Sequence, residues 1–294
     1  MYYFLLFIFY PLSLLPFRVL YFISDFAFLL IFHVFKYRRT VVAENLSYAF
    51  PEKSAKERLD IERKFYRNLC DQLVETIKLI SISKAELNKR FTGDWHIADN
   101  YFKKQKNVYA LIGHQFNWEW ANVIAAWNCP QTYAGIYLPL NSSAVNRLML
   151  RIRQRSNAVL ISAKNLKQNM EQLHDKIYVL AIVADQSPGE TSIKWLSFMN
   201  RVTPFFLGPE KGARRANAAV VFVTLLKKKR GYYHMGLKVF CDDASQIQEG
   251  EITAQYVKHL ESMLNANPDN WLWTHRRWKR TPPPNILQEN ETTS

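Results

Sequence analysis

The sequence predicts an α/β protein with a largely parallel central sheet flanked by helices, over about residues 100–265. Three observations predict it. Short runs are apolar at nearly every position, above all 177–184 (IYVLAIVA) and 108–112 (VYALI), and such runs suit strands covered on both faces. The segments between them carry helical spacing, and strands alternating with helices imply a parallel sheet. The chain has 294 residues, 48 % of them apolar. A chain of that size can bury roughly 75 % of its unfolded surface and needs neither disulfide nor metal to fold.

Residues 1–17 carry no charged side chain; Arg18 comes next, then a second apolar run over 19–35 that holds Asp25 and His33. A bilayer core takes roughly 20 apolar residues, so 1–35 is long enough to anchor the chain. Pro11 and Pro16 interrupt it. Two geometries remain: one tilted span with Arg18 or Asp25 snorkelling or paired, or two interfacial helices in one leaflet. No basic region precedes the run and no small-x-small cleavage site is clear, which argues against a cleaved signal peptide. Lys36, Arg38 and Arg39 stand directly after it, a cluster that keeps the downstream chain on the cytoplasmic side.

Residues 36–100 read as a helical connector. Ser54 and Glu57 form a capping box, and Leu59, Phe65, Tyr66, Leu69, Leu73, Ile77 and Ile80 recur at helical spacing. From 101 to 280 the α/β rhythm sets in. Strands are predicted near 108–113, 132–138, 159–162, 177–184, 219–226 and 231–240, and helices near 118–127, 146–155, 166–173, 213–219 and 252–264. Residues 281–294, with Pro282, Pro283 and Pro284 and then polar side chains, are expected to form a disordered tail.

Lys and Arg outnumber Asp and Glu by 39 to 25, a net charge of +14, and aromatic residues make up 14 %. Such a charge fits nucleic acid, an anionic membrane surface or an acidic partner. The aromatic surplus favours the membrane, because Trp and Tyr prefer the lipid–water interface. No RNP-like strand, zinc-finger spacing or basic zipper speaks for nucleic acid. A mean hydropathy of −0.22 excludes a polytopic membrane protein. Cys70, Cys129 and Cys241 form no CxxC pair, against a zinc site and for a reducing compartment.

The chemistry is concentrated in Gly113-His114-Gln115-Phe116-Asn117-Trp118-Glu119. It follows a strand and opens a helix, where sites gather in open α/β sheets. His114 in the loop is placed to act as a general base, with Glu119 folding back onto its ring to hold one tautomer. The substrate's own hydroxyl then serves as nucleophile. A tetrahedral oxyanion needs donors, which the helix start after Asn117 and the cation of Arg155 are placed to offer. By itself the H-x4-E spacing also fits a surface His beside a helix-start Glu. HExxH is absent, against zinc.

The block GHQFNWEW resembles the H-x4-D/E motif of glycerolipid acyltransferases, and its Asn-Trp-Glu form is similar to the late acyltransferases of lipid A biosynthesis. The resemblance runs in order through Arg39, Asn45-Leu46, Phe50-Pro51-Glu52, Arg155-Ser156-Asn157, Asp185-Gln186, Thr203 to Lys211 and Trp271 to Lys279, over about residues 1–280. It implies a glycerol-3-phosphate acyltransferase-like fold. It also implies transfer of a fatty acyl chain from an acyl-carrier-protein thioester to a hydroxyl of a lipid A precursor, at the cytoplasmic face of the bacterial inner membrane. No cofactor or metal is implied. Carried over by residue, His114 matches the base, Glu119 its orienting carboxylate and Arg155 a basic residue near the site, with Asp185 in a block close by. A lysophospholipid or amino-acid lyso-lipid remains an alternative acceptor, and a non-catalytic basic membrane-binding protein an alternative class. Residues 271–280 mix three Trp with Arg and Lys and suit the bilayer interface. The run 227–230 is expected at a hairpin tip.

Overall fold

The computed structural model describes residues 1–189, 192–284 and 286. Most of the predicted tail, 285 and 287–294, lies outside the described residues. The chain opens with α1 (Tyr2–Leu14), α2 (Phe17–Leu29) and a π-helical turn (Leu30–Val34), then α3 (Arg39–Ala49), α4 (Ala55–Lys78) and α5 (Lys84–Arg90). Next come β1 (Phe91–Gly93), α6 (Trp95–Lys103), β2 (Val108–Ile112), α7 (Trp118–Asn128), β3 (Thr132–Tyr137), α8 (Ser143–Arg153), β4 (Val159–Ser162), α9 (Leu166–Asn169) and β5 (Tyr178–Val183). The last elements are β6 (Ile193–Phe198), β7 (Arg201–Phe206), α10 (Gly208–Arg215), β8 (Ala219–Lys229), β9 (Tyr232–Cys241) and α11 (Glu251–Ala266).

Seven strands form the central sheet in the order β1-β9-β8-β2-β5-β3-β4. The pairs along β8-β2-β5-β3-β4 are parallel, and β9 runs antiparallel to β8. The continuous apolar runs are explained by burial on both faces. Along β2, Tyr109 and Leu111 join one core with Tyr256 and Leu260 of α11, whereas Val108, Ala110 and Ile112 join the other with Trp120 and Ile124 of α7. β1 pairs with β9, so the connector predicted over 36–100 lends the sheet an edge strand. The hairpin β6–β7 stands outside that sheet and has no counterpart among the predicted strands. Its turn residues Met199 and Asn200 both have positive φ, 50° and 64°, the backbone of a two-residue hairpin turn, but Met-Asn is a weak turn signal in sequence.

The N-terminal layer lies on this domain. Leu20, Ser24 and Phe28 of α2 and Phe32 of the π-helical turn are buried, spaced by four, and make the face that packs on α4. Phe22, Phe26 and Leu29 face outward. The charge inside the apolar run is satisfied: Arg230, at the β8–β9 turn, reaches the two oxygens of Asp25 at 2.7 and 3.0 Å and also binds Asp71. Lys227 of the same basic run binds Asp71 at 3.0 Å. The stretch 17–34 is long and apolar enough to cross a membrane by length and composition.

The bilayer-interface reading of residues 271–280 is corrected. Trp271, Trp273 and Arg277 are buried. The indoles donate to Asp185 and to the Pro268 carbonyl, and Arg277 donates to the Pro204 carbonyl with its guanidinium over the Phe205 ring. Rings rich in contact area fill the core here, and their N–H groups find partners inside it.

Candidate active site

Strand register builds the site. In the parallel pair β2–β5, Ile112 stands opposite Val183. Two residues beyond each strand end, His114 therefore faces Asp185 at the carboxyl edge of the sheet. Gly113 makes the approach possible, since a Cβ there would meet Leu260 at 2.7 Å and the Asp185 carboxylate at 3.1 Å. His114 Nδ1 lies 2.6 Å from Asp185 Oδ1, and the His114 backbone N–H donates to Oδ2 at 2.6 Å. The Trp271 indole donates to Oδ2 at 2.5 Å. Asp185 is only 1 % exposed. Burial alone would raise its carboxyl pKa, but the charge of His114 and these hydrogen bonds outweigh it and hold the group below its ordinary value. An ionised Asp185 on Nδ1 favours the tautomer in which that nitrogen carries the proton and the lone pair of the neutral ring is on Nε2.

At Nε2 stands Gln186, its side-chain nitrogen 3.0 Å away. The Trp118 ring meets the imidazole edge to face at 5.3 Å. Trp271, Leu272 and His275 complete the slot around His114, Asp185 and Gln186. Burial, and then the charge of Arg277, bring the His275 pKa down to about 4, so this second imidazole is neutral at pH 7. Its buried Nδ1 has no hydrogen-bond partner among the described residues.

The predicted residues divide. His114 and Asp185 are together. Glu119 does not hold the imidazole, which corrects the expectation. Glu119 sits in the first turn of α7 and forms a bidentate pair with Arg153 at the end of α8, at 2.6 and 2.9 Å. The carboxylate delivered to the ring by sheet register is Asp185. Glu119 still reaches His114 indirectly, because its Oε1 accepts from the Trp118 indole at 3.1 Å. Arg155 is likewise displaced from the predicted role: it donates to the carbonyls of Leu79 and Ile82 and pins the chain beyond α4. Asn117 is fully buried and spends its side chain inside, capping α7 through the Trp120 N–H (3.1 Å) and donating to Glu75 (2.8 Å). It shapes the loop rather than facing a substrate. In the first turn of α7 the Trp120 N–H is taken by the Asn117 side chain and the Ala121 N–H by the Asn117 carbonyl at 3.0 Å, so neither is left as a donor for an oxyanion. No group of His, Cys, Asp or Glu among the described residues is placed to hold a metal ion.

Sequence reading sends Trp271 to the bilayer interface and gives neither Gln186 nor His275 a named part in the chemistry. The adjacency of Gln186 to Asp185 is a usable signal; the other two arrive from the C-terminal segment, and no spacing announces them.

A family model described as bacterial lipid A biosynthesis acyltransferase matches residues 1–280. The chain is 26 % identical over 261 residues to the lipid A biosynthesis palmitoleoyltransferase of Escherichia coli K12, covering 84 % of this chain and 80 % of that protein. A lipid A biosynthesis acyltransferase of Shigella flexneri matches with the same figures. The lipid A biosynthesis lauroyltransferase of Escherichia coli K12 is 26 % identical over 275 residues, 91 % of this chain and 88 % of that one.

Proposed function

Because the chain belongs to the bacterial lipid A biosynthesis acyltransferase family, we propose that it moves a fatty acyl chain from an acyl-carrier-protein thioester to a hydroxyl of a lipid A precursor, with His114 as general base. As a member of that family it is an acyltransferase acting on a lipid acceptor. The observation that carries the mechanism is the His114–Asp185 pair at 2.6 Å, with Nε2 turned to the slot side and met there by the Gln186 side chain.

In this reading the acceptor hydroxyl donates to His114 Nε2 and its oxygen attacks the thioester carbonyl carbon. The C–O bond forms as the proton passes to Nε2, and the carbonyl oxygen becomes an oxyanion. Asp185 stabilises the imidazolium and remains ionised. The tetrahedral intermediate collapses with cleavage of the C–S bond, and the proton on Nε2 goes to the departing thiolate. Glu119 is a positioning residue, acting through Trp118. No cofactor takes part.

The outward aromatic faces of α1 and α2 suit immersion in one leaflet. A span through α2 would take Tyr21, Ser24 and Asp25 into hydrocarbon together with their partners Glu75, Asp71 and Arg230, which favours the interfacial geometry. The net charge of +14 would draw an acidic carrier protein and anionic headgroups, on the cytoplasmic face of the inner membrane.

The test is a mass-spectrometric transfer assay on the full chain in detergent. Acyl-carrier-protein thioester is offered with a tetra-acylated lipid A precursor, a lysophospholipid and a lyso-amino-acid lipid, with His114→Ala alongside. One added acyl chain on the lipid A precursor alone, lost in the variant, is the expected result. A gain on another lyso-lipid alone would replace the acceptor. Wild-type turnover by His114→Ala would refute the base.

A further inference from the structure

The side chain of Gln186 occupies the place where the reacting hydroxyl must sit. Nδ1–H of His114 is committed to Asp185, so a substrate hydroxyl reaches the base only at Nε2, in the plane of the ring. The Gln186 side-chain nitrogen is 3.0 Å from that atom. With a lone pair on Nε2, the complementary partner is an amide N–H. The backbone on either side is fixed. Asp185 accepts from the His114 ring and backbone and from Trp271, and the Ser187 hydroxyl donates to the Arg277 carbonyl at 2.9 Å. Gln186 itself is only half-buried. Side-chain rotation alone therefore moves the amide off Nε2.

We propose that Gln186 is a catalytic residue: displaced from His114 Nε2 by the acceptor hydroxyl, its amide donates to the oxyanion that forms on the thioester carbonyl. The displacement need only be short. In a tetrahedral adduct the oxyanion and the attacking oxygen share one carbon and lie about 2.3 Å apart, so an amide leaving Nε2 for the incoming oxygen stays within a hydrogen bond of the developing charge. No atom is exchanged with Gln186. The hydroxyl proton goes to Nε2, the C–O bond forms, and the carbonyl electron pair becomes the charge that the amide binds. When the C–S bond breaks, the carbonyl re-forms and the amide returns to Nε2.

This assignment rests on His114 being the base, so the experiment separates the two. The full chain in detergent is assayed with acyl-carrier-protein thioester and the lipid acceptor that the wild type uses, alongside Gln186→Ala, Gln186→Glu and His114→Ala. Thioester hydrolysis without acceptor is measured in each. Loss of transfer in His114→Ala keeps the base, whatever the Gln186 variants do. Gln186→Ala is then expected to lower kcat by about 10²- to 10³-fold with little change in KM. Gln186→Glu, of the same shape but bringing a negative charge to the oxyanion, is expected to fall at least as far, and it decides the matter if the alanine variant folds poorly. A Gln186→Ala kcat within about threefold of wild type, with or without faster hydrolysis, would make the side chain a plug on a resting base and overturn the proposal.

Discussion

The two oxygens of Asp185 are not equivalent, and the difference decides what an amide there would do. Among the described residues, Oδ2 takes two donors, the His114 backbone N–H and the Trp271 indole, while Oδ1 faces His114 Nδ1 alone. In Asp185→Asn the amide oxygen is drawn to the two N–H groups. Its NH₂ is then left facing Nδ1, which forces the proton onto Nε2 and removes the lone pair that the base needs. Turnover is expected to fall by about 10⁴-fold, as in other His–carboxylate pairs. Glu119→Gln acts differently. It breaks a pair whose side chains are 6 % and 20 % exposed, and leaving one partner of a buried pair costs on the order of 3 kcal/mol. A clear drop in Tm with a smaller loss of turnover is expected. Melting curves and kcat for both variants check this; Glu119→Gln as inactive as His114→Ala at unchanged Tm would give Glu119 the direct role. His114 is legible in the sequence because it follows a strand and opens a helix. Its partner is not, because Glu119 is near in sequence, whereas Asp185 is near only through the pairing of β2 with β5.

Helix α4 does more than the packing its apolar spacing predicts. Glu75, fully buried, accepts from Tyr21 of α2, Tyr233 of β9 and Asn117 of the His114 loop, each at 2.8 Å. One carboxyl thus ties the N-terminal layer, the sheet edge and the site loop. Burial first, and then the charge of Asp71, push its pKa from an ordinary 4.5 up to about 7. The folded chain therefore keeps a proton that the unfolded chain releases above about pH 4.5. The stability linked to this proton is fully present below that pH and is lost as pH rises through about 7, on the order of 3 kcal/mol in all. Glu75→Gln, which has no proton to lose, should melt above wild type at about pH 8 and converge on it near pH 5. Tm against pH in both proteins is the measurement, and parallel curves would show that Glu75 does not carry the dependence. The capping box of α4, the strands of the central sheet and their parallel run are legible from local signals. The edge strand β1 and the hairpin β6–β7 are not, since three residues and a Met-Asn turn carry little pattern.

At the scale of the molecule, the N-terminal layer is held from inside and bare outside. Lys78 donates to the carbonyls of Ser13 and Leu15 at 2.7 and 2.9 Å, and Arg151 donates to the Tyr2 hydroxyl at 3.0 Å. These contacts leave Phe4, Phe7, Phe22 and Phe26 pointing outward at 59–78 % exposure. The apolar run is plain in the sequence, but span and surface helix stay open there, because the partner that decides it, Arg230 on Asp25, lies 205 residues away. A phenyl ring moved from water into an apolar medium gains about 2 kcal/mol, so four of them dominate any partition into lipid. Replacing all four by Ser should weaken binding to phosphatidylethanolamine–phosphatidylglycerol vesicles by at least about 100-fold, measured by flotation. The fold should survive, since none of the four belongs to either core. Raising salt on the wild type separates the other contribution: basic side chains lose their hold on anionic lipid as the Debye length shrinks, whereas ring insertion does not. Binding that survives the four substitutions but fails in salt would move the anchor from the aromatic face to the basic surface. Binding that fails only on substitution would place the mouth of the His114 slot, through α4 and Glu75, one buried carboxyl away from a helix lying in the leaflet.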